Sequence, residues 1–223
     1  MINLVLITSI VNTPNLPLSY TTTRSVFTTE ERFTQTKKTI LSVKEKIPNC
    51  KILIVECSKL SEEQYEYFNN SCDFFLNLIE NQDAVNNIYS SSKSYGEGTM
   101  TMFALEYLSK QNIFFDNFFK ISGRYWLSDN FDYNNFNNNK IIVHRINGDI
   151  NNTLTCLYKL HKNIIDNFYN FLVSKIDLMK CCIGYEVLFA MFLKTISTCE
   201  IVSLNKIGIN GYIAVTNNNF VDN

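Results

Sequence analysis

Three prolines and seven glycines in 223 residues leave little material for a linker, and no Ser/Gly-rich or charged run separates the halves. The sequence therefore predicts one domain spanning 1–223. Any excess of charge is also lacking: 20 Lys+Arg stand against 21 Asp+Glu, spread along the chain, which excludes the basic footprint that nucleic-acid binding needs. No apolar run reaches the roughly 18 residues of a membrane span, and the opening MINLVLITSIV has neither a basic n-region nor a cleavage site. The expectation is a cytoplasmic protein. Metal-ligand spacing is missing too. The seven cysteines (Cys50, Cys57, Cys72, Cys156, Cys181, Cys182, Cys199) contain no CxxC, and His144 and His161 have no partner at zinc spacing. Most of these cysteines read as buried, reduced thiols in apolar contexts such as NCKILIVEC and MKCCIGY. Hydrolase motifs of the GxSxG or HExxH type are absent.

What is present is 46% apolar composition, enough for one large core. Residues 2–11 form a continuous β-branched run that fits a buried strand. Residues 28–47 carry Thr28 or Thr29 as cap, Glu30 and Glu31 in the first turn, and Ile40, Val43 and Ile47 at helical spacing before Pro48. A second apolar run (51–57) is followed by a helix capped at Ser61, then by a strand at 73–79 and an amphipathic helix at 98–110. Residues 117–127 read as a strand broken at Gly123, where a bulge or a close backbone approach is expected. Further strands are predicted at 140–146 and 199–204, helices at 155–173 and 185–195, and a hairpin or loop-strand at 207–215. The asparagine-rich stretch 129–140 reads as a polar surface loop.

Alternating strands and helices predict an α/β fold with right-handed crossovers and a mainly parallel sheet. Such sheets bind ligands beyond the carboxyl ends of their strands, which fall near residues 9–12, 56–58 and 122–125. FFKISGRYWL places Lys120, Ser122 and Arg124 in an apolar strand, where a buried cation needs a partner. Either a diphosphate approaching over Gly123 or a core carboxylate meets that need. KSYGEG (93–98) reads either as an anion-binding loop ahead of a helix or as an ordinary glycine-bearing loop. Arg24 is a phosphate or sugar contact, or a surface arginine. Glu56 accepts from a nucleotide, or faces solvent at a strand end. Glu186, in apolar IGYEVLFAMFL, suits proton abstraction from a sugar hydroxyl, or simply opens a helix. Asp129 and Asp132 are the nearest approach to a carboxylate pair for Mg²⁺ or Mn²⁺.

TSIVNTP, TRSVFTTEERFTQTKKTI, IVECSKL, KSYGEG, FFKISGRYWL and IGINGYIAV together make the chain resemble, nearly end to end, GT-A-fold glycosyltransferases of large DNA viruses and bacterial surface-polysaccharide loci. The resemblance implies a single-domain, Rossmann-like GT-A fold, with a nucleotide-binding part at about 1–128 and an acceptor-side part at about 129–223. It implies transfer of a hexose or deoxyhexose from a UDP- or dTDP-type donor to a glycan hydroxyl, in a host cytoplasm if the source is viral. By position, Thr8, Ser9, Ile10, Val11 and Glu56 would hold the nucleotide. Arg24, Lys93, Gly96 and Glu97 would hold its sugar-phosphate region, and Ser122, Gly123, Arg124 and Tyr125 would border the diphosphate. The family's DxD is replaced by SGRY at 122–125. Mn²⁺ or Mg²⁺ is implied by the family, with Asp129 and Asp132 as ligands, while Arg124 and Lys120 are the alternative that offsets leaving-group charge without a metal. No organic cofactor is expected. Glu186 would act as base in an inverting displacement. A nucleotidyltransferase acting on sugar phosphates and a catalytically inactive sugar-binding domain are the rival readings.

Overall fold

The computed structural model describes residues 1–147, 149–216 and 218–222. Its first half alternates as the sequence predicts: β1 (Asn3–Ser9), α1 (Thr29–Lys46), β2 (Cys50–Glu56), α2 (Glu62–Ser71) and β3 (Phe74–Asn77). Reciprocal capping boxes start both helices. The Thr28 hydroxyl accepts from Glu31 N–H while the Glu31 carboxylate takes Thr28 N–H, and Ser61 and Gln64 repeat the arrangement. Next come α3 (Gln82–Ile88), α4 (Lys93–Lys110), β4 (Asn117–Ser122), β5 (Tyr125–Leu127), β6 (Ile142–Asn147) and β7 (Asp149–His161). The chain closes with α5 (Ile165–Ser174), α6 (Ile176–Lys180), α7 (Tyr185–Leu193), β8 (Ile201–Leu204), β9 (Ile209–Tyr212) and β10 (Asn219–Val221).

Seven strands form one sheet in the order β3-β2-β1-β4-β7-β6-β8, taking strands from both halves of the chain. Only β7 runs against its neighbours. Because side chains alternate across a strand, Leu4 and Leu6 of β1 enter the core beneath α4, α5 and α7. Val5 and Ile7 enter the opposite core with Phe33, Ile40 and Val43 of α1. Both faces are covered, which is why β1 and β2 read as unbroken apolar runs. A second sheet, β10-β9-β5, is antiparallel.

Four expectations are corrected. KSYGEG is not a loop: Ser92 caps Tyr95 N–H, and Lys93 to Gly98 are the opening turns of α4. Gly96 serves packing, because a Cβ there would sit 2.9 Å from the Ile88 carbonyl oxygen at the end of α3. The helix expected at 155–173 is strand β7 as far as His161, and only its second part is helical. Buried on both faces from Cys156 to Leu160, β7 has no period-two signal, and Leu157, Leu160 and Ile164 imitate a helical spacing. The strand expected across 117–127 is two strands in different sheets. Gly123 is the break: its N–H donates to Thr8 O (2.9 Å) and its carbonyl accepts from Thr36 Oγ1 (3.1 Å). A Cβ on Gly123 would lie 3.1 Å from Thr36 Oγ1 and 3.2 Å from Thr8 O, so the close approach is to a side chain of α1 and the backbone of β1. Helices α3 and α6 carried no strong sequence signal. The thiols of Cys181, Cys182 and Cys199 are exposed rather than buried.

Candidate active site

In the chain's path β1 to β2 to β3 the sheet grows in one direction, and β4 then returns to the other side of β1. At such a switch point the connections leave in opposite directions and open a crevice between the strand ends. Here that crevice is a cavity of about 110 Å³ walled by Thr8, Ser9 and Ile10 at the end of β1, Ser122 to Arg124 at the end of β4, and Lys93, Gly96 and Glu97 of α4. Two further cavities adjoin it. One, of about 280 Å³, shares Lys93 and Glu97 and adds Tyr20, Ser92, Ser94, Tyr185 and Glu186. The other, of about 350 Å³, shares Arg24, Arg32, Lys93 and Arg124 and adds Tyr20, Tyr125 and Ile213.

Residues read separately along the sequence, from 8 to 125, thus meet at one place. Arg24 is fastened by its guanidinium to the carbonyls of Ile88, Tyr89 and Ser90 at the end of α3. Desolvation lowers its pKa from the ordinary arginine value. Arg124 donates to the Tyr212 carbonyl and lies over the Tyr125 ring, whose hydroxyl burial pushes up to about 12. Lys93 is exposed at the mouth.

Glu56 stands behind the cavities rather than in them. It is wholly buried, and its carboxylate accepts from Val11 N–H (3.1 Å), Cys57 N–H (3.0 Å) and the Ser58 hydroxyl (2.7 Å). Burial raises its pKa in spite of these bonds. Val11 is likewise buried, so both residues shape the loop after β1 and neither lines its surface. Lys120 is no free cation: fully buried, it pairs with Glu97 and donates to Ser122 Oγ (2.9 Å) and Thr155 O (3.0 Å). Glu186 is half-buried in the first turn of α7, where the Thr155 hydroxyl donates to Oε1 (3.4 Å). It both opens a helix and faces a cavity.

One cation escaped sequence reading. Arg32 of α1 is only 8% exposed, yet it lines two of the three cavities. It donates from Nε to Ile10 O and from Nη1 to Ser25 Oγ (3.4 Å). No carboxylate lies within ion-pair reach among the described residues. Desolvation, with the like charge of Arg124, brings its pKa down to about 9, and Glu56 offsets this in part.

The residues do not fit a divalent cation. Hard cations need several oxygen ligands, usually carboxylates, and no group of three or more His, Cys, Asp or Glu is placed to hold one among the described residues. Asp129 is fully exposed and pairs with Lys46 (3.3 Å), and Asp132 caps a short 3₁₀ turn by accepting from Asn134 N–H (2.9 Å). Neither borders the crevice. The acids that do are Glu97, committed to Lys120, and Glu186 in the adjoining cavity. The histidines are elsewhere: His144 is buried and shares a hydrogen bond with Ser203 Oγ (3.0 Å). Among the described residues no helix is long and apolar enough to cross a membrane.

No protein-family model matches the chain, and no curated protein sequence matches it. Solved structures do. Core-mannan synthase A of Aspergillus fumigatus, in its Mn/GDP form, is 9% identical with a TM-score of 0.58, covering 94% of this chain and 74% of that one. A putative nucleotide-diphospho-sugar transferase of Desulfovibrio desulfuricans is 8% identical with a TM-score of 0.51, covering 92% and 80%. CTP:phosphocholine cytidylyltransferase of Streptococcus pneumoniae is 14% identical with a TM-score of 0.52, covering 97% and 95%. At these identities the likeness shows the fold, and the fold is that of the GT-A nucleotide-sugar transferases: a mostly parallel sheet flanked by helices.

Proposed function

We propose that this chain is a glycosyltransferase that moves a hexose or deoxyhexose from a UDP- or dTDP-type donor to a glycan hydroxyl. One observation carries the reading: four cationic side chains, Arg24, Arg32, Lys93 and Arg124, border adjoining cavities at the sheet's switch point, with no carboxylate within ion-pair reach of any of them among the described residues. A pyrophosphate ester suits such a site, since guanidinium groups bind its oxygens in a bidentate manner. The nucleoside would lie along residues 8–10, in the part formed by about 1–128. The acceptor would enter the cavity of about 280 Å³ beside Tyr20, Ser92, Ser94 and Glu186. There Glu186 takes the proton of the attacking hydroxyl, the oxygen bonds to the anomeric carbon, and the nucleoside diphosphate departs toward Arg124 with its negative charge stabilised. This is an inverting displacement.

The cytidylyltransferase likeness favours a second reading, nucleotidyl transfer to a sugar phosphate. Against it, the loop after β1 (residues 10–27) contains no glycine, and among the described residues no group of three or more His, Cys, Asp or Glu is placed to hold a metal ion. A two-arm assay decides. Release of UDP or dTDP from nucleotide sugars in the presence of mixed glycan acceptors supports the proposal. Release of pyrophosphate from nucleoside triphosphates with sugar phosphates supports the second reading. Nucleotide-sugar binding without either reaction leaves the inactive sugar-binding domain.

A further inference from the structure

We infer that the donor's diphosphate is held without a divalent cation, Arg32 and Arg124 supplying the positive charge that a metal would bring. This rests on the nucleotide-sugar reading above and deepens it. At the end of β4, facing the crevice, the chain presents Ser122, Gly123 and Arg124 where a carboxylate pair would have to stand. A dication placed there would find a cationic wall whose one carboxylate, Glu97, is committed to Lys120, Glu186 lying in the adjoining cavity, and like charges at a few ångströms repel strongly in a partly desolvated site.

Arg32 supplies the second argument. Burial of an unpaired guanidinium is costly unless an anion meets it. Its bonds to Ile10 O and Ser25 Oγ fix its direction without neutralising it, because both acceptors are uncharged. Glu56 offers it no ion pair, being occupied with Val11, Cys57 and Ser58. Arg124 is fixed in the same way on the Tyr212 carbonyl. Two oriented, un-neutralised guanidinium groups therefore border one crevice, which is the arrangement a multivalent anion completes.

The test is binding of UDP, dTDP and inorganic pyrophosphate to the intact chain by calorimetry, each with excess EDTA and with Mn²⁺. The inference expects binding in EDTA, little changed by Mn²⁺, and weakened tenfold or more in both Arg32→Gln and Arg124→Gln. Arg124 is only half-buried, so should Arg32→Gln fail to fold, Arg124→Gln together with the EDTA comparison decides. Binding that appears only with Mn²⁺, or that Asp129→Asn or Asp132→Asn abolishes, overturns the inference and leaves the nucleotide-sugar reading standing. Absence of binding under both conditions overturns the two together.

Discussion

The ion pair between Lys120 and Glu97 ties the core to the candidate site, and breaking it is the most informative perturbation of the fold. Lys120 is fully buried in β4, and the Glu97 side chain is 14% exposed on the wall shared by two cavities. Removing one partner of a buried pair costs about 3–5 kcal/mol, because the other charge is left uncompensated. Glu97→Gln keeps an oxygen near Nζ, and Lys120 retains Ser122 Oγ at 2.9 Å and Thr155 O at 3.0 Å. The expected cost is therefore somewhat lower, about 2–3 kcal/mol, a fall in Tm of about 5–10 °C for a chain of this size. Lys120→Met strands a carboxylate that still reaches solvent, and should cost about 1–2 kcal/mol. In the double variant neither charge remains, so its loss should be smaller than the sum of the two by at least about 1.5 kcal/mol. Urea denaturation of the four proteins at one pH measures the coupling. Additive losses would show that the two side chains do not act on each other, and the account of how Glu97 is held would be wrong.

Three further outcomes are expected. Lys159 is fully buried, its partners among the described residues being the carbonyls of Asn138 (3.1 Å) and Lys140 (2.6 Å), and burial lowers its pKa from 10.5 to about 8. Between those values the unfolded chain binds the extra proton, so this group makes stability rise with pH across that window and penalises the fold fully below it. Buried Cys57 and Cys156, pushed up to about 12, act in the opposite sense, so the readout is the difference between wild type and Lys159→Met in denaturation from neutral to alkaline pH. Identical slopes would refute it. Gly96→Ala gains about 1 kcal/mol of helix propensity but drives a Cβ to 2.9 Å from Ile88 O, and a net loss of about 1–2 kcal/mol is expected by thermal denaturation. Any gain in stability would mean that α3 yields freely. Glu186→Gln should lower glycosyl transfer by about 10²–10⁴-fold while donor affinity stays within a factor of two or so. Unchanged transfer would remove Glu186 from the chemistry.

Much of the fold is legible because its signals are local. The runs at β1 and β2 are continuous since both faces of those strands are covered, and the capping boxes at Thr28 and Ser61 mark α1 and α2 within four residues each. Legibility fails where a residue's reason lies far along the chain. Gly96 is required by α3, so it looked like a loop glycine. The antiparallel strand β7 is sealed between β4 and β6, and its spacing taken alone points to a helix. Arg32 follows Glu30 and Glu31 in the first turn of α1, and its partner is the carbonyl of Ile10, twenty-two residues earlier. One signal was present: Arg32, Thr36, Ile40 and Val43 fall on a single buried stripe of α1, and an arginine in register with an apolar stripe asks for an explanation.

Of the chain's four arginines, the three at the candidate site differ from Arg145 in what holds them. Lys46 meets Asp129, Lys110 meets Glu106, Lys162 meets Asp116 and Arg145 meets Asp222, while the buried Lys120 meets Glu97. Uncharged acceptors occur elsewhere too, as at buried Lys159, but at the crevice they hold every arginine. Arg24 is held by the carbonyls closing α3, Arg32 by Ile10 O and Ser25 Oγ, and Arg124 by Tyr212 O. An uncharged acceptor fixes a guanidinium in space and leaves its charge intact, whereas a carboxylate fixes it and cancels it. Three arginines from three separate segments are each oriented by uncharged oxygen with no carboxylate in ion-pair reach among the described residues, and a bound anion would offset the cost of burying Arg32. Their convergence beyond β1 and β4 is therefore an argument about the ligand as much as about the fold.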